Sequence, residues 1–253
     1  MFNLKISRHW VGFLAFALLF GSAVAADPNP SDLLLSSDRA RGGGLGGLSM
    51  ESKVVSYRDG AEDQSYTLQI EADQNSSLVT FLTPATSAGK MMLMQNRNMW
   101  FISPDVSKPV PISPRQRLLG EASNGDVATT NYSRDYDASM AGVADVNGQA
   151  CYVLDLKAKE QNVTYDRIKY YISKNAPLAL KAEYFTLSDK LLKTSYMEYE
   201  NTITYQGKQI RFISKFEIQD QIQPGQNTVL TYINPKAASI PQSHFDLRSL
   251  LNR

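Results

Sequence analysis

From residue 48 onward, apolar and polar residues alternate with a period of two, and no other feature constrains the fold of this chain as strongly. A helix repeats every 3.6 residues, so sustained alternation selects strands with one face turned inward. The runs are "SMESKVVSY", "QSYTLQIEA", "SLVTFLTP", "KMMLMQN", "MWFISP", "ACYVLDLKAK", "RIKYYIS", "ALKAEYFT", "KTSYMEYEN", "QIRFISKFEIQD" and "TVLTYINP". Turn-forming pairs separate many of them, among them Asp59-Gly60, Asn147-Gly148, Gln206-Gly207 and Pro224-Gly225. Many short strands with such punctuation predict a large antiparallel sheet, curled or closed into a barrel. One stretch breaks the rhythm. Residues 113–142 are polar and rich in Asn and Asp, and they read as a loop with one or two short helices, an excursion suited to a lid or plug.

The first 25 residues read as a leader rather than as part of the fold. Lys5 and Arg8 precede the apolar run "WVGFLAFALLFGSAVA", which closes on the small-x-small pattern Ala23-Val24-Ala25 of a cleaved secretory signal. Removal of Lys5 and Arg8 takes the 26 basic residues to 24 against 25 acidic ones, a net charge of about −1. That balance gives no attraction to nucleic acid or to an anionic membrane. The single cysteine, Cys151, excludes an internal disulfide and sits in a strand pattern as a small buried residue. Residues 26–253 are expected to form one domain. Its first element is a short helix in "DPNPSDLLLSSDRARGGG", with Ser31 as a possible cap, Asp32 in the first turn and Gly42 to Gly44 as the stop.

The segment "MMLMQNRNMWFISP" holds four of the eight methionines, Met91, Met92, Met94 and Met99, within nine positions. With the turn at Asn96-Arg97, Met94 faces Met99, Leu93 faces Trp100, Met92 faces Phe101 and Met91 faces Ile102. One face of this hairpin then carries Met92, Met94, Met99 and Phe101, and the other carries Met91, Leu93, Trp100 and Ile102. Both faces are apolar, so something must cover each of them. Helices could do so and make the hairpin ordinary core. Alternatively, methionine, deformable and polarizable, suits an irregular apolar guest such as an acyl chain.

The stretch "LVTFLTPATSAGKMMLMQNRNMWFISPDVSKPVPIS" is similar to part of the periplasmic outer-membrane lipoprotein-sorting proteins, the LolA-like family. The matching positions are Pro84, Gly89, Leu93, Trp100 and Pro104. "RLLGEASNGDVATTNYSRDYDA" and the closing "IPQSHFDLRSL" resemble later segments of the same family. The turn departs from the family pattern, with Asn96-Arg97 in place of Asn-Gly or Asp-Gly, and Ile102 stands where a tyrosine is common. The resemblance implies an α+β fold, an incomplete antiparallel barrel of about ten or eleven strands with a few helices over its concave face. It also implies a periplasmic carrier that shelters the apolar part of a lipid or lipoprotein in a hydrophobic cavity and passes it between membranes or to an envelope complex. Partners would be acyl chains, an inner-membrane transporter and an outer-membrane acceptor, with the chain acting as a monomer. The alternative is a non-enzymatic adaptor of an envelope transport complex that uses the same hairpin as a protein contact.

On this reading the cavity is lined by Met91, Met92, Leu93, Met94, Met99, Trp100 and Phe101, with Leu68, Ile70, Val79, Phe81, Phe212 and Phe216 as further wall residues. Leu118, Leu119, Tyr132, Tyr136 and Met140 would belong to the lid. No catalytic residue, metal ligand or cofactor site is expected. Outside the leader the one histidine is His244, no Cys/His cluster has metal-ligand spacing, and the glycines of "GGGLGG" follow a helix instead of opening one. Asp135 and Asp137 read as solvated loop carboxylates and not as an acid/base pair.

Overall fold

The computed structural model describes residues 27–128 and 131–251, so the leader reading lies outside the described residues. Among the described residues no helix is long and apolar enough to cross a membrane. Helix α1 (Pro30–Arg39) precedes strands β1 (Leu48–Arg58), β2 (Ala61–Ala72), β3 (Ser76–Thr83), β4 (Met91–Gln95), β5 (Asn98–Ile102) and β6 (Val110–Ile112). A small ribbon of β7 (Arg117–Leu119) and β8 (Ala122–Ser123) leads into the short helices α2 (Asn124–Ala128) and α3 (Tyr132–Asp135). Strands β9 (Tyr136–Val146), β10 (Gln149–Ala158), β11 (Arg167–Ser173), β12 (Ala179–Phe185) and β13 (Leu191–Glu198) form a meander. The hairpin β14 (Asn201–Tyr205) and β15 (Lys208–Phe212) comes next. Strands β16 (Lys215–Asp220) and β17 (Gln226–Ala237) rejoin the sheet, and the chain closes with a 3-10 turn, Gln242–Phe245, and helix α4 (Leu247–Leu251).

Thirteen strands make one antiparallel sheet in the order β6-β5-β4-β3-β2-β1-β17-β16-β13-β12-β11-β10-β9. Its edges, β6 and β9, do not pair with each other, so the sheet is an open barrel. The turns are made by local chemistry. Asp59, Asn147 and Gln206 adopt φ of 51°, 51° and 49°, each followed by a glycine at 82°, 79° and 72°. Paired left-handed residues match the twist of the strands they join. Helix α1 is capped by Asn29, not Ser31. The Asn29 side-chain oxygen accepts from the backbone N–H of Ser31 and Asp32, and Pro30 presets the first helical φ.

The sheet is covered on both faces at the methionine hairpin. On the convex side Leu78, Leu93 and Ile102 pack with Phe245 and Leu250, flanked by Met91, Trp100, Ile240 and Leu247. Three polar contacts strap this C-terminal segment down. Gln95 Nε2 donates to the Phe245 carbonyl at 2.5 Å, Gln242 Nε2 donates to Asp73 at 3.0 Å, and His244 meets Glu71 at 2.9 Å. On the concave side a continuous core runs from α1 across β1 to β4 and on to β10, β11, β12, β16 and β17.

That interior is not uniformly dry. Arg41 is buried just beyond α1, with its guanidinium 4.6 Å from the Tyr132 ring, 5.6 Å from the Phe216 ring and donating to Tyr170 Oη at 3.3 Å. Tyr136, Tyr165 and Tyr184 are buried in the same core; Tyr165 Oη donates to Asp126 Oδ2 at 2.8 Å, and Tyr184 shares a hydrogen bond with Ser195. Asp38, on the inner face of α1, accepts from the Ser133 N–H at 2.7 Å through Oδ2, while Oδ1 is buried without a hydrogen-bond partner among the described residues. Burial, only partly offset by the Ser133 N–H and Arg41, pushes the Asp38 carboxyl up to about 6.

Two outcomes are expected. Phe245→Ala should uncover the outer face of β4 and lower stability by about 3 kcal/mol, read as a shift of the urea midpoint. Between pH 4 and 6 the folded protein keeps Asp38 protonated while the unfolded chain has released that proton. Stability should therefore fall as pH rises through this window, by about 3 kcal/mol for the Asp38 contribution. Denaturation of Asp38→Asn at pH 4 and pH 7 should show a smaller decline than the parent, and Glu121 and Asp126, also raised by burial, account for what remains.

Candidate functional site

The register of the methionine hairpin is the one its alternation requires. Met94 lies opposite Met99, Leu93 opposite Trp100, Met92 opposite Phe101 and Met91 opposite Ile102. Asn96 supplies the left-handed turn residue, at φ 55°. Met92, Met94, Met99 and Phe101 face the interior core. Met91, Leu93 and Trp100 are placed on the opposite face, under the C-terminal strap, because odd and even positions of β4 point to opposite sides of the sheet.

An open cleft of about 530 Å³ lies between this inner face and the segment that follows β6. Tyr66, Phe81, Met92, Phe101, Ile112 and Leu118 form its apolar lining. The aromatic rings meet edge to face, Tyr66 to Phe81 at 5.3 Å and Phe81 to Phe101 at 6.4 Å between centroids. Ser87, Lys90, Gln116, Arg117 and Asn124 supply its polar boundary. The volume falls within the range usual for small-ligand sites, and an apolar body with a few polar groups is their usual chemistry.

Of the residues expected from the sequence, Met92, Phe81, Phe101 and Leu118 are brought together at this cleft. Leu68, Ile70, Val79, Phe212 and Phe216 are buried in the interior core beside Met94 and Met99 and do not line the cleft. Leu119, Tyr132 and Tyr136 are also buried and do not line the cleft, to which the covering segment contributes Ile112, Gln116, Arg117, Leu118 and Asn124. Met140 lies in β9, opposite Leu154 of β10, because residues 136–142 are an edge strand and not part of an excursion. Tyr66 and Ile112 were missed as lining residues. Tyr66 shares a face with Leu68 and Ile70 by the same period of two, and that signal could have found it.

The covering segment is tightly seated. Glu121 N–H donates to Thr228 Oγ1 at 2.7 Å, and Lys193 Nζ donates to the Glu121 carbonyl at 2.5 Å. Gly120 adopts φ 50°, and a Cβ there would overlap Thr228 Oγ1 and Ser56 Cβ. Asp135 is buried, not solvated, and receives Arg97 Nε at 3.0 Å and Arg134 Nε at 2.9 Å. Asp137, by contrast, is exposed. The Arg97–Asp135 pair ties the tip of the methionine hairpin to the start of β9 at the far edge of the sheet.

A larger depression of about 1020 Å³ crosses the surface at β10 to β12. Its lysines and Arg167 are matched by Asp155, Glu160, Asp166 and Asp189, and Arg167 Nε already pairs with Asp155 at 2.6 Å. It is a solvated, self-neutralised groove with little apolar lining beyond Leu187. Among the described residues no group of three or more His, Cys, Asp or Glu side chains could hold a metal ion.

A family model described as uncharacterized-protein-like matches residues 73–252. No curated protein is similar enough to match the chain. A LolA superfamily protein from Nitrosomonas europaea superimposes with a TM-score of 0.77 at 28% identity, over 88% of this chain and 99% of the other. A DUF1329 family protein from Desulfovibrio piger gives 0.71 at 21% identity, over 87% and 97%. A domain named as an outer membrane lipoprotein-sorting protein from Vibrio parahaemolyticus gives 0.71 at 16% identity, over 88% and 98%. The last two likenesses show the fold alone. With the open antiparallel barrel and the family match across most of its length, the chain belongs to the LolA-like family.

Proposed function

We propose that this protein is a periplasmic carrier that takes the apolar part of a lipid or lipidated molecule into the cleft beside the methionine hairpin and hands it on. The observation that carries this reading is the cleft itself, an opening in an open barrel lined by aromatic rings and Met92. The likeness to a lipoprotein-sorting domain and the leader pattern of residues 1–25 support the compartment and the cargo class. The chemistry needed is burial alone. Each methylene removed from water contributes about 0.8 kcal/mol, so ten of them supply on the order of 8 kcal/mol before ordering costs. Met92 and its neighbours can reshape around chains of different length, which a wall of branched residues would resist.

A fluorescent long-chain fatty acid is expected to bind the purified protein, and native mass spectrometry should find co-purified amphiphiles. Leu118→Trp, which fills the cleft from the covering segment, and Phe101→Ser, which opens its apolar wall, should each weaken uptake about tenfold while the thermal transition stays cooperative. A folded protein that is empty as isolated and takes up no amphiphile would fit the adaptor role instead.

A further inference from the structure

The charged groups bordering the cleft are Lys90 and Arg117, and no carboxylate lines it. From this we infer that the cargo is an amphiphile with an anionic head, held at the mouth by these two cations while its chain lies against Phe81, Met92 and Phe101. This rests on the carrier reading and adds the charge of the head to it.

The two cations differ in how firmly they are engaged. Lys90 Nζ donates to the Thr86 carbonyl at 2.8 Å, a solvent-exposed local contact of a half-buried residue that a stronger acceptor can displace. Arg117 is 63% exposed; its nearest charge is Glu121 Oε1 at 3.5 Å, and it has no hydrogen-bond partner among the described residues. Its planar set of N–H donors is thus available for a carboxylate or phosphate, which it can grip through two parallel bonds. Lys90 adds a mobile point charge from the β3–β4 connection. Glu121 does not cancel this site. Its side chain is buried and lies off the cleft lining, both oxygens lack hydrogen bonds among the described residues, and burial raises its carboxyl above the usual range. Gln116 and Asn124 complete the rim with uncharged donors. A neutral head would leave both cations solvated and gain nothing from them, and a cationic head would be repelled.

The test compares hexadecanoate, hexadecanol and hexadecylamine for displacement of a fluorescent acyl probe from the full-length exported protein, at low and at high salt. Hexadecanoate should bind about tenfold more tightly than the alcohol at low salt, with the amine weakest, and the preference should shrink as salt screens the rim. In Lys90→Gln/Arg117→Gln the acid-to-alcohol ratio should fall toward one; Lys90→Gln alone should give an intermediate ratio and serves if the double variant does not fold. Equal binding of acid and alcohol by the parent protein would overturn the inference and leave the carrier reading standing, as would a preference that persists in the double variant. Inorganic phosphate that binds the empty protein as tightly as hexadecanoate would assign the cations to a free anion and overturn it as well. Failure of all three chains to bind would remove the carrier reading itself.

Discussion

A sheet that is apolar on both faces around β4 and β5 sets the terms for the rest of this structure. An antiparallel sheet normally leaves one face to water, but neither Leu93 with Ile102 nor Met92 with Met99 can be left there. The chain meets the two demands differently. The outer face receives a fixed cover, the C-terminal segment, whose Phe245 is buried and whose backbone is strapped by Gln95. The inner face receives the curvature of the sheet itself and the elements folded into it. Near Phe81 and Phe101 that inner cover stops short, and the cleft is what remains.

The interior shows how a barrel can be firm at its centre and adaptable at one end. Arg41 is taken out of water, a step that costs several kcal/mol unless it is compensated. Here the compensation comes from the Tyr132 and Phe216 ring faces and the Tyr170 hydroxyl. Asp126 is met by Tyr165 and Ser123, and Asp38 by Ser133. Directional bonds of this kind have one good arrangement, so they fix α1, α2 and α3 relative to the sheet. Methionine and phenylalanine contacts at the cleft carry no such directionality. The two kinds of chemistry are segregated by position, and rigidity follows one of them.

Much of the sheet was legible in the sequence because alternation and turn residues act locally. The register of Met92 with Phe101 follows from a turn at Asn96 and nothing else. What was not legible depended on partners far away in the chain. β9 reads as polar loop because much of its side-chain surface is exposed at an edge, so only its backbone pairing with β10 reveals it. β6 is three residues long and carries Pro111, which hides it from any periodic signal. Asp135 looked solvated because nothing nearby in sequence announces that Arg97, 38 residues earlier, would reach it. The side of the hairpin that faces inward was also undetermined, since both sides are equally apolar. The C-terminal segment decides it by occupying one of them.

The open edge of the barrel has a physical consequence for how a guest could be admitted. A closed barrel would have to break strand pairing to enlarge its interior, whereas here β6 and β9 are separate edges, and Arg97 with Asp135 ties the β4–β5 turn to the start of β9. That pair is partly buried and joined by Arg134, so the hairpin tip is held in place. The cover over the cleft is pinned at Gly120 and Glu121 to β17 and β13, beyond Leu118. The backbone between these anchors is also held, by Arg115 to Asp166 at 2.7 Å and by Asn124 and Gly125 donating to the carbonyls of Ser113, Gln116 and Pro114. What can shift is the side chains of Ile112 and Leu118, which are only partly buried. Rearranging those side chains separates a few apolar contacts and leaves the hydrogen bonds of the cover intact, which costs less than moving its backbone.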